Sequence, residues 1–473
     1  MHLRKTVGTA WKWLYPGLGV KRWLILLGLG LLLLSLGVSF FYVQIYRSLE
    51  IPRAISPIAY ALTLQPFPRW FRGLVLAALG VSCVAIAVFR LSRSLVSVFF
   101  ESDQESIVDA IYRRRVRRRG PNVVAIGGGT GLSTLLRGLK ERTDNLTAIV
   151  TVADDGGSSG LLRRELGLLP PGDFRNCISA LAEAEPLMTL LFQYRFGQGL
   201  GLDGHSFGNL FIAAMAGVTG DFGQAILQSS KVLAVRGRIL PSTMQSITLC
   251  AELAQDAEGS NGQYQVQGES RIPKAGAPVE RVFLQPDDVR GYGESVKAIL
   301  DAELIVVGPG SLYTSILPNL LVKDIAGALC ASQAVKVYVC NVATQAGETD
   351  HYDVADHVKA IYGHVGGPCF DYVVVNDNLE VQTPTNWNAE MVQPPSGRDA
   401  VRPGGRRPNG GVPTVVDGAY RLWLADVVDP EMPWRHNPTK LAQQIMDIYA
   451  SHPRQGGMDA EYSSLQRKGS KLR

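Results

Sequence analysis

The spacing of apolar positions in this chain changes sharply near residue 120. Before that point they form two long uncharged runs, WLILLGLGLLLLSLGVSFFYV at residues 23–43 and GLVLAALGVSCVAIAVF at residues 73–89. After it they form short β-branched runs, separated by glycine-rich turns and helix-length segments. The first pattern is typical of membrane-spanning helices, which need about 20 apolar residues. The second is typical of strands buried on both faces of a parallel sheet.

The flanks of the long runs predict a membrane hairpin with helices at about 23–43 and 71–89. Basic residues precede the first run and follow the second, whereas residues 44–69 carry few. The positive-inside rule then places both termini in the cytoplasm and the 44–69 loop outside. The alternative is one span followed by a buried or interfacial helix. A signal peptide is disfavoured, because its apolar region is only about 7–15 residues long.

The balance of basic and acidic residues also changes near residue 120. Residues 1–119 hold 17 Lys and Arg against 5 Asp and Glu, and the remainder holds 30 against 37. Six of the arginines lie in YRRRVRRRG at residues 112–120, with no aromatic residues interleaved among them. This run is interpreted as a juxtamembrane linker attracted to membrane lipid, and no nucleic acid is expected as a partner.

The short apolar runs predict the sheet of the main domain. They are NVVAI (122–126), TAIVTV (147–152), ELIVV (303–307), KVYVCNV (336–342) and DYVVV (371–375). Residues 231–284 interrupt the alternation of strands and helices, because they contain several strand-like runs with little helix between them. This pattern predicts a β-rich insertion. Residues 393–413, rich in Pro, Gly and Arg, are predicted to be a disordered loop.

The fold class is therefore α/β: a Rossmann-like, doubly wound, mostly parallel sheet with a β-rich insertion, preceded by an N-terminal transmembrane helical hairpin. Six cysteines without a CxxC pair are interpreted as reduced core residues, which suits a membrane-anchored, two-pass protein with its main domain in the cytoplasm. Four segments follow: a membrane anchor (1–100), a basic juxtamembrane linker (101–120), a nucleotide-binding domain (121–450) and a flexible tail (451–473).

Two glycine-rich turns are candidates for phosphate binding. NVVAIGGGTGLSTLLRGLK combines a strand, a glycine loop and a helix, and VVGPGSLYTSILPNL has the same order. Glycine lets the backbone approach a ligand, and a helix N-terminus favours phosphate. The first motif has neither GxGxxG nor Walker A spacing, so a plain tight turn is the alternative. The candidates are Gly127, Gly128, Gly129 and Thr130 in the first loop, and Gly308, Gly310 and Ser311 in the second.

Carboxylates follow the next strand in TVADDGGSSG. Asp154 and Asp155 are expected at the carboxyl end of that strand, where ligands bind in open sheets. Paired carboxylates suit Mg²⁺ or ribose hydroxyls, so this pair is the candidate metal site, with an Asp-Gly turn as the alternative. The same stretch supplies Ser158 and Ser159 as ligand-binding candidates.

Two further motifs place polar side chains at helix starts. In LLPPGDFRNCISAL, Asp173 is a plausible N-cap, while Arg175 and the adjacent Asn176 are expected to face the crevice. In GHSFGNLFIAAM, Asn209 lies in an otherwise apolar helix and needs hydrogen-bond partners. His205 joins this group, with a lone surface histidine as the alternative.

Two residues late in the chain complete the candidate set. Tyr352 follows the strand KVYVCNV and is expected to stack on a base or sugar. Arg435 precedes a helix that Asn437 caps, and is expected to reach a diphosphate with a two-pronged hydrogen bond. A packed tyrosine and a surface arginine are the alternatives. With no Ser-His-Asp elbow and no HExxH motif, any chemistry rests on carboxylates, a divalent ion and positioning.

Together these motifs resemble the gluconeogenesis factor family, the YvcK-like proteins, within the CofD-like superfamily of 2-phospho-L-lactate transferases. The resemblance covers roughly residues 121–376, outside which lie the membrane hairpin and the 393–413 loop. The matching strings are IGGGTGLSTLLRGLK, ADDGGSSG, LPPGDFRNC, GHSFGNLFIAAM, VRGRILP, VGPGSLYTSILPNLLV and NVATQAGETDHY.

The resemblance implies a regulatory protein that binds a UDP-sugar such as UDP-N-acetylglucosamine. It would affect cell shape, cell-wall precursor flux and growth on gluconeogenic carbon, with cell-wall synthesis proteins and a second copy of the chain as further partners. The alternative is a Mg²⁺-dependent transferase of a phospholactyl-type group from a nucleotide-linked donor. The sequence identifies no catalytic residue, base or acceptor.

Overall fold

The structure, a computed structural model, divides the chain into two compact units, Met1–Arg115 and Val116–Arg473. It describes residues 117–452 apart from 184–185, 198, 200, 255–263, 381–388, 395–414 and 417–419, and scattered positions between 28 and 84. Most of the predicted hairpin, of the basic linker, of the 393–413 loop and of the tail therefore lies outside the described residues.

The two longest described helices of the second unit have 14 and 13 residues. In this part of the chain no single helix is both long and apolar enough to cross a membrane. One bent pair, Leu312–Leu320 with Lys323–Ala331, meets the length and hydropathy requirement only when its two members are taken together.

An eight-stranded sheet forms the centre of the second unit, in the order β10-β11-β9-β8-β7-β1-β2-β3. All neighbouring pairs are parallel except β10 and β11. The strands are β1 (Val123–Gly127), β2 (Leu146–Val150), β3 (Arg238–Pro241), β4 (Thr248–Leu253), β5 (Tyr264–Gln267), β6 (Val279–Gln285), β7 (Leu304–Val307), β8 (Val335–Val339), β9 (Tyr372–Asn376), β10 (Val415–Val416) and β11 (Tyr420–Ala425).

The central strands confirm the fold class predicted from apolar runs. Every residue of β1, β7 and β9 is buried, because helices cover both faces of this part of the sheet. Ala125 of β1, for example, pairs with Ala148 on one side and Val306 on the other. The five apolar runs identified in the sequence coincide with β1, β2, β7, β8 and β9.

The helices follow the strands as a doubly wound fold requires. Gly138, near the end of the first helix, packs so closely on the last helix that a Cβ there would overlap Pro438 O. The helices are α1 (Gly129–Leu139), α2 (Gly157–Leu166), α3 (Gly172–Leu181), α4 (Pro186–Gln193), α5 (Phe207–Thr219), α6 (Phe222–Val232), α7 (Gly293–Leu300), α8 (Leu317–Leu320), α9 (Lys323–Ala331), α10 (Val354–Val365) and α11 (Pro438–Ser451). A 3₁₀ turn spans Ile272–Lys274, and a π-helical turn, Leu312–Ile316, precedes α8.

The β-rich insertion is a separate antiparallel sheet in the order β5-β4-β6. It starts later than the predicted residue 231, because that region holds the end of α6 and the strand β3. β3 is an edge strand of the main sheet, where Ile239 pairs with Ala148 and Leu240 with Ile149. An apolar run shows that a strand forms, but its pairing partner is decided by contacts distant in sequence.

Candidate functional site

A cavity of about 710 Å³ lies at the carboxyl ends of β1, β7 and β8. Its walls come from the loops after these strands, from the insertion and from the segment before α11. This is the edge at which open α/β sheets bind ligands. The lining residues are 128–131, Thr134, Asp154, Glu269, Ser270, Pro273, 309–311, Thr314, Ser315, 341–346, Glu348, Ala389 and 434–436.

The first glycine loop forms the floor at the start of α1. Gly128 is the N-cap of α1 and has no side chain to cap the first N–H groups, a geometry that favours an anion. Gly129 has φ +61°, a conformation that suits glycine. A Cβ on Gly131 would overlap Pro309 O, so the two glycine loops are in direct contact.

Amide side chains after β8 hold the second glycine loop in place. Gly310 N–H donates to Asn341 Oδ1 (3.2 Å), and Asn341 Nδ2 donates back to Gly310 O (2.9 Å). Gln345 Nε2 donates to Ser311 Oγ (2.8 Å). The sequence reasoning missed both amides, although their position just after a buried strand carries the same signal as that of Asp154.

Two partly buried carboxyl groups, Asp154 and Glu269, also line the cavity. Asp154 Oδ1 accepts from Gly156 N–H (2.9 Å), and burial raises the pKa of this carboxyl. Burial also raises the pKa of Glu269 well above its ordinary value, and Glu269 Oε2 has no hydrogen-bond partner among the described residues. The insertion supplies Glu269, so sequence reasoning had no local signal for it.

Asp173 lies directly behind the first glycine loop. It is in the first turn of α3, whose N-cap is Pro171, so helix capping does not explain it. Burial, with the charge of Asp154 as a second cause, raises the pKa of Asp173 to about 7. A Cβ on Gly128 would lie 2.6 Å from Asp173 Oδ2, which shows how tightly the loop covers this side chain.

The predicted metal pair does not converge on one point. Asp155 Oδ1 accepts from Ser270 N–H (2.9 Å) and anchors the insertion, whereas Asp154 faces the cavity. No group of three or more His, Cys, Asp and Glu side chains forms a metal-ligand set within the described part of the chain. Any Mg²⁺ here would depend on Asp154 and on oxygens of the ligand, an arrangement common for this ion.

A second polar cluster joins the cavity through Asp154, which hydrogen-bonds with Ser159. Ser158 Oγ bonds with His205 Nδ1 (3.0 Å) and accepts from Asn209 Nδ2 (3.0 Å). His205 is therefore not a lone surface histidine, and Asn209 has the partner that its burial demands.

Arg175 is buried within the same cluster and does not reach the cavity. Its Nη1 donates to Ser206 Oγ (2.6 Å) and its Nη2 to Asn176 Oδ1 (3.0 Å). Burial lowers the pKa of this guanidinium. Its hydrogen bonds to Ser206 and Asn176 make it part of the polar cluster, and it is not among the residues that line the cavity.

The segment before α11 forms a further wall. Asn437 caps α11, accepting from Thr439 N–H (3.1 Å) and Lys440 N–H (3.0 Å), as the sequence predicts. This cap and the close packing of α11 on α1 hold Arg435 and His436 at the cavity. Arg435 is exposed there, whereas His436 is buried.

Tyr352 is not among the lining residues. Its hydroxyl bonds with Tyr313 OH (2.9 Å), and Tyr313 N–H donates to Glu348 Oε2 (3.3 Å). Glu348 lines the cavity and also accepts from Thr314 Oγ1 (2.9 Å). Tyr352 therefore contacts the cavity wall indirectly, through Tyr313.

The structure thus divides the predicted site residues into two sets. Those on the cavity wall are Gly128, Gly129, Thr130, Asp154, Gly310, Ser311 and Arg435. Those behind it or beside it are Gly127, Asp155, Ser158, Ser159, Asp173, Arg175, Asn176, His205, Asn209, Gly308 and Tyr352. Lining residues that the sequence reasoning missed include Glu269, Ser270, Thr314, Ser315, Asn341, Gln345, Glu348 and His436.

The parallel sheet with two glycine loops at its carboxyl edge defines a Rossmann-like α/β protein. A family model described as 2-phospho-L-lactate transferase CofD matches residues 123–401. The gluconeogenesis factor of Bacillus subtilis is 50% identical over 58% of this chain and 84% of its own length. That of Halalkalibacterium halodurans is 48% identical over 69% of this chain and 96% of its own.

Two further comparisons concern a relative that covers most of the chain and a solved structure. A protein of Nostoc sp. named "Putative gluconeogenesis factor" is 44% identical over 93% of this chain and 92% of its own length. A crystal structure of a UPF0052 family member from Bacillus halodurans has a TM-score of 0.59 and 44% identity, covering 69% of this chain and 99% of that one. The chain belongs to the gluconeogenesis factor family, within the CofD-like superfamily.

Proposed function

We propose that the cavity binds a UDP-sugar, of which UDP-N-acetylglucosamine is the representative, and that the protein acts as a regulator. The observation that carries this proposal is the pair of abutting glycine loops at the start of α1 and of the π-helical turn. A diphosphate needs several N–H and O–H donors close together. The uncapped start of α1 and Ser311 of the second loop would supply them, since Gly310 N–H is already bonded to Asn341 Oδ1 (3.2 Å). The cavity volume lies within the roughly 300–1,000 Å³ typical of small-molecule sites.

The proposed contacts divide by chemistry. The first loop, Gly128, Gly129 and Thr130, takes one phosphate. Ser311 takes the other, and Gly310, whose N–H is bonded to Asn341 Oδ1, leaves space for its approach. Arg435, exposed on the wall, pairs with the diphosphate charge. The polar cluster of Ser158, Ser159, Arg175, Asn176, His205 and Asn209 holds Asp154 in position at the sugar end.

The regulatory role rests on the family to which the chain belongs. A protein of this family that binds a cell-wall precursor would couple precursor supply to cell shape and to growth on gluconeogenic carbon. The two apolar runs before residue 90 and the six arginines after Tyr112 would hold the domain near a membrane. Cell-wall synthesis proteins and a second copy of the chain are the partners proposed with this role.

Calorimetric titration of the full-length chain with UDP-N-acetylglucosamine tests the proposal. We expect saturable binding, and Arg435→Ala should weaken it about 10- to 150-fold, because a charged hydrogen bond is lost. Arg290→Ala, which removes an exposed arginine that does not line the cavity, is the matched control and should bind as the parent does. A parent that shows no heat with UDP-N-acetylglucosamine contradicts the proposal.

A transferase reaction is the second candidate, favoured by the matched family model and by Asp154 at the cavity wall. Mg²⁺ would be held by Asp154 and the donor phosphates and would neutralise the charge of the transferred group. Mass analysis of nucleotides and acceptors after incubation with Mg²⁺ separates the two functions. Turnover that disappears in Asp154→Asn supports the enzyme, and a ligand recovered unchanged supports the regulator.

A further inference from the structure

Trp434 is the one Phe, Tyr or Trp side chain among the described residues that line the cavity. It is 37% exposed, although an indole ring can bury a large apolar area against a partner. Val342 and Ala343 are also apolar and line the cavity, but they are small and already buried. Trp434 is therefore the largest apolar side chain of the cavity wall with surface left for a ligand.

The turn that carries Trp434 is fixed by hydrogen bonds. Arg435 N–H donates to Met432 O (2.8 Å), and Asp429 N–H donates to Arg435 O (2.9 Å). Asp429 Oδ1 also accepts from Met432 N–H (3.4 Å). The N-cap of α11 at Asn437 anchors the chain on the other side. The backbone beside the indole is thus ordered before a ligand binds, so it loses little further conformational entropy on binding.

The neighbouring residue indicates which part of a ligand the indole meets. Arg435 follows Trp434 directly in the chain, lines the same cavity and is the cation proposed for the diphosphate. A side chain next to that contact meets a group attached to a phosphate. In a nucleotide sugar these groups are the nucleoside and the hexose, and both present uncharged ring faces. An indole fits such a face, because flat rings stack on aromatic side chains.

We propose that Trp434 stacks on an uncharged ring of the bound nucleotide sugar, and that it is a specificity-determining residue of the site. The inference rests on the proposed function, since the ring belongs to the ligand of the same cavity. Two sources share this chemistry: the uracil base and the N-acetylglucosamine ring. Trp434 thus takes the role that the sequence suggested for Tyr352, whose hydroxyl bonds with Tyr313 OH (2.9 Å).

Trp423 provides an internal comparison, because it shows how the same domain covers a structural indole. It is 6% exposed, its Nε1 donates to Gln444 Oε1 (3.0 Å), and its ring packs edge-on against Tyr372 with centroids 6.4 Å apart. It does not line the cavity. The much greater exposure of Trp434, together with its position on the cavity wall, is what points to a ligand.

The protein-side test compares Trp434→Ala and Trp434→Phe in the full-length chain by calorimetry with UDP-N-acetylglucosamine. Ala removes the stacking surface, and we expect a loss of about 5- to 150-fold in affinity. Phe keeps an aromatic face and should lose less. Met432→Ala is the matched control: it removes an exposed apolar side chain of the same turn that does not line the cavity, and it should bind within about twofold of the parent.

The ligand-side test measures UDP and N-acetylglucosamine 1-phosphate as well, with the parent and with Trp434→Ala. Stacking on the base predicts that Trp434→Ala loses affinity equally for UDP and UDP-N-acetylglucosamine and keeps it for N-acetylglucosamine 1-phosphate. Stacking on the hexose predicts that only the two ligands with that sugar are weakened. Equal losses for all three ligands would mean that the variant disturbs the phosphate contacts, which overturns the proposal.

Fluorine NMR of the full-length chain labelled with 5-fluorotryptophan keeps the proposal testable if Trp434→Ala does not fold. The resonance that is missing from Trp434→Phe belongs to Trp434. Saturating UDP-N-acetylglucosamine should shift this resonance in the parent, because a ring stacked on the indole changes its surroundings. An unshifted resonance in the saturated parent overturns the contact.

Failure of this inference is distinct from failure of the proposed function. A parent that binds UDP-N-acetylglucosamine, with Trp434→Ala binding equally tightly, overturns the role of Trp434 alone. A parent that does not bind UDP-N-acetylglucosamine overturns both, since the stacked ring belongs to that ligand.

Discussion

Single residues in this site have roles that their type alone does not reveal. The protein behind Gly128, more than any phosphate in front of it, requires a glycine at this position. A Cβ there would lie 2.6 Å from Asp173 Oδ2 and 2.8 Å from Thr151 Cγ2. The adjacent Asp154 and Asp155 have different functions, one facing the cavity and one anchoring Ser270. Orientation, which a motif does not specify, separates a ligand contact from a structural hydrogen bond.

The pH dependence of stability should report the burial of Asp173. Its pKa is raised from the ordinary value of 3.8 to about 7, so the folded state keeps a proton that the unfolded state loses. The resulting stabilisation is complete below about pH 4 and is lost as the pH rises through 7. Asp173→Asn cannot lose that proton, so its stability relative to the parent should rise between pH 5 and pH 8.

Thermal melting of parent and variant at both pH values measures this effect. We expect Asp173→Asn to gain at least about 1 kcal/mol on the parent over that interval, or roughly 2–4 °C. Some pH dependence should remain in the variant, because burial also raises the pKa values of Asp154 and Glu269. A difference between the two proteins that is constant from pH 5 to pH 8 would show that Asp173 is ionised in the folded state.

At the scale of elements, close packing of glycine-containing segments builds the site. Gly131 brings α1 against Pro309, and Gly138 brings the same helix against the start of α11. These two contacts join the first glycine loop to the second loop and to the wall that carries Arg435 and His436. The cavity therefore exists only when three segments, far apart in sequence, pack without intervening side chains.

Two glycine-to-alanine substitutions within helices should have opposite effects. Gly131→Ala places a Cβ in overlap with Pro309 O, so it should separate the glycine loops, lower the melting temperature and weaken UDP-N-acetylglucosamine binding. Gly217→Ala in α5 is the control, because a Cβ there meets nothing within 4 Å. It should stabilise the fold by about 0.5–1 kcal/mol and leave binding unchanged. Unchanged melting and binding in Gly131→Ala would show that close contact between the two loops is not required for the fold or the site.

At the scale of the whole molecule, the chain combines an α/β domain with an N-terminal segment of different composition. The first 119 residues hold both long apolar runs and most of the excess positive charge. The second unit begins at Val116, within the arginine run. The change in composition along the chain thus coincides with the division into two compact units.

Topology of the N-terminal segment can be tested with reporters fused to the full-length sequence after Phe100. Because the basic flanks lie outside the 44–69 loop, a cytoplasmic reporter should be active at this position and an exported reporter inactive. A fusion within residues 44–69 is the matched control and should show the reverse pattern. Export of the reporter after Phe100 would contradict the two-pass arrangement.

Much of the fold could be predicted because its strongest signals are local. The apolar runs at β1, β2, β7, β8 and β9 are long enough to identify buried strands, and the glycine turns after β1 and β7 follow them directly. Apart from Arg435, which was identified from its place before a helix, the candidates on the cavity wall were found by the same rule, that residues after parallel strands share one edge. Asn341 and Gln345 obey that rule as well and were missed only because amides carry a weaker chemical signal than carboxylates.

The sequence by itself determined the α/β class, five of the eight strands of the central sheet and the two glycine loops, since each depends on residues adjacent in the chain. Tertiary structure alone decided that β3 joins the main sheet, that the insertion delivers Glu269 and that the start of α11 delivers His436. It also decided that Tyr352 bonds with Tyr313 instead of lining the cavity. The physical reason is that local patterns set backbone conformation, whereas pairing, burial and side-chain direction depend on segments that meet only in the folded chain.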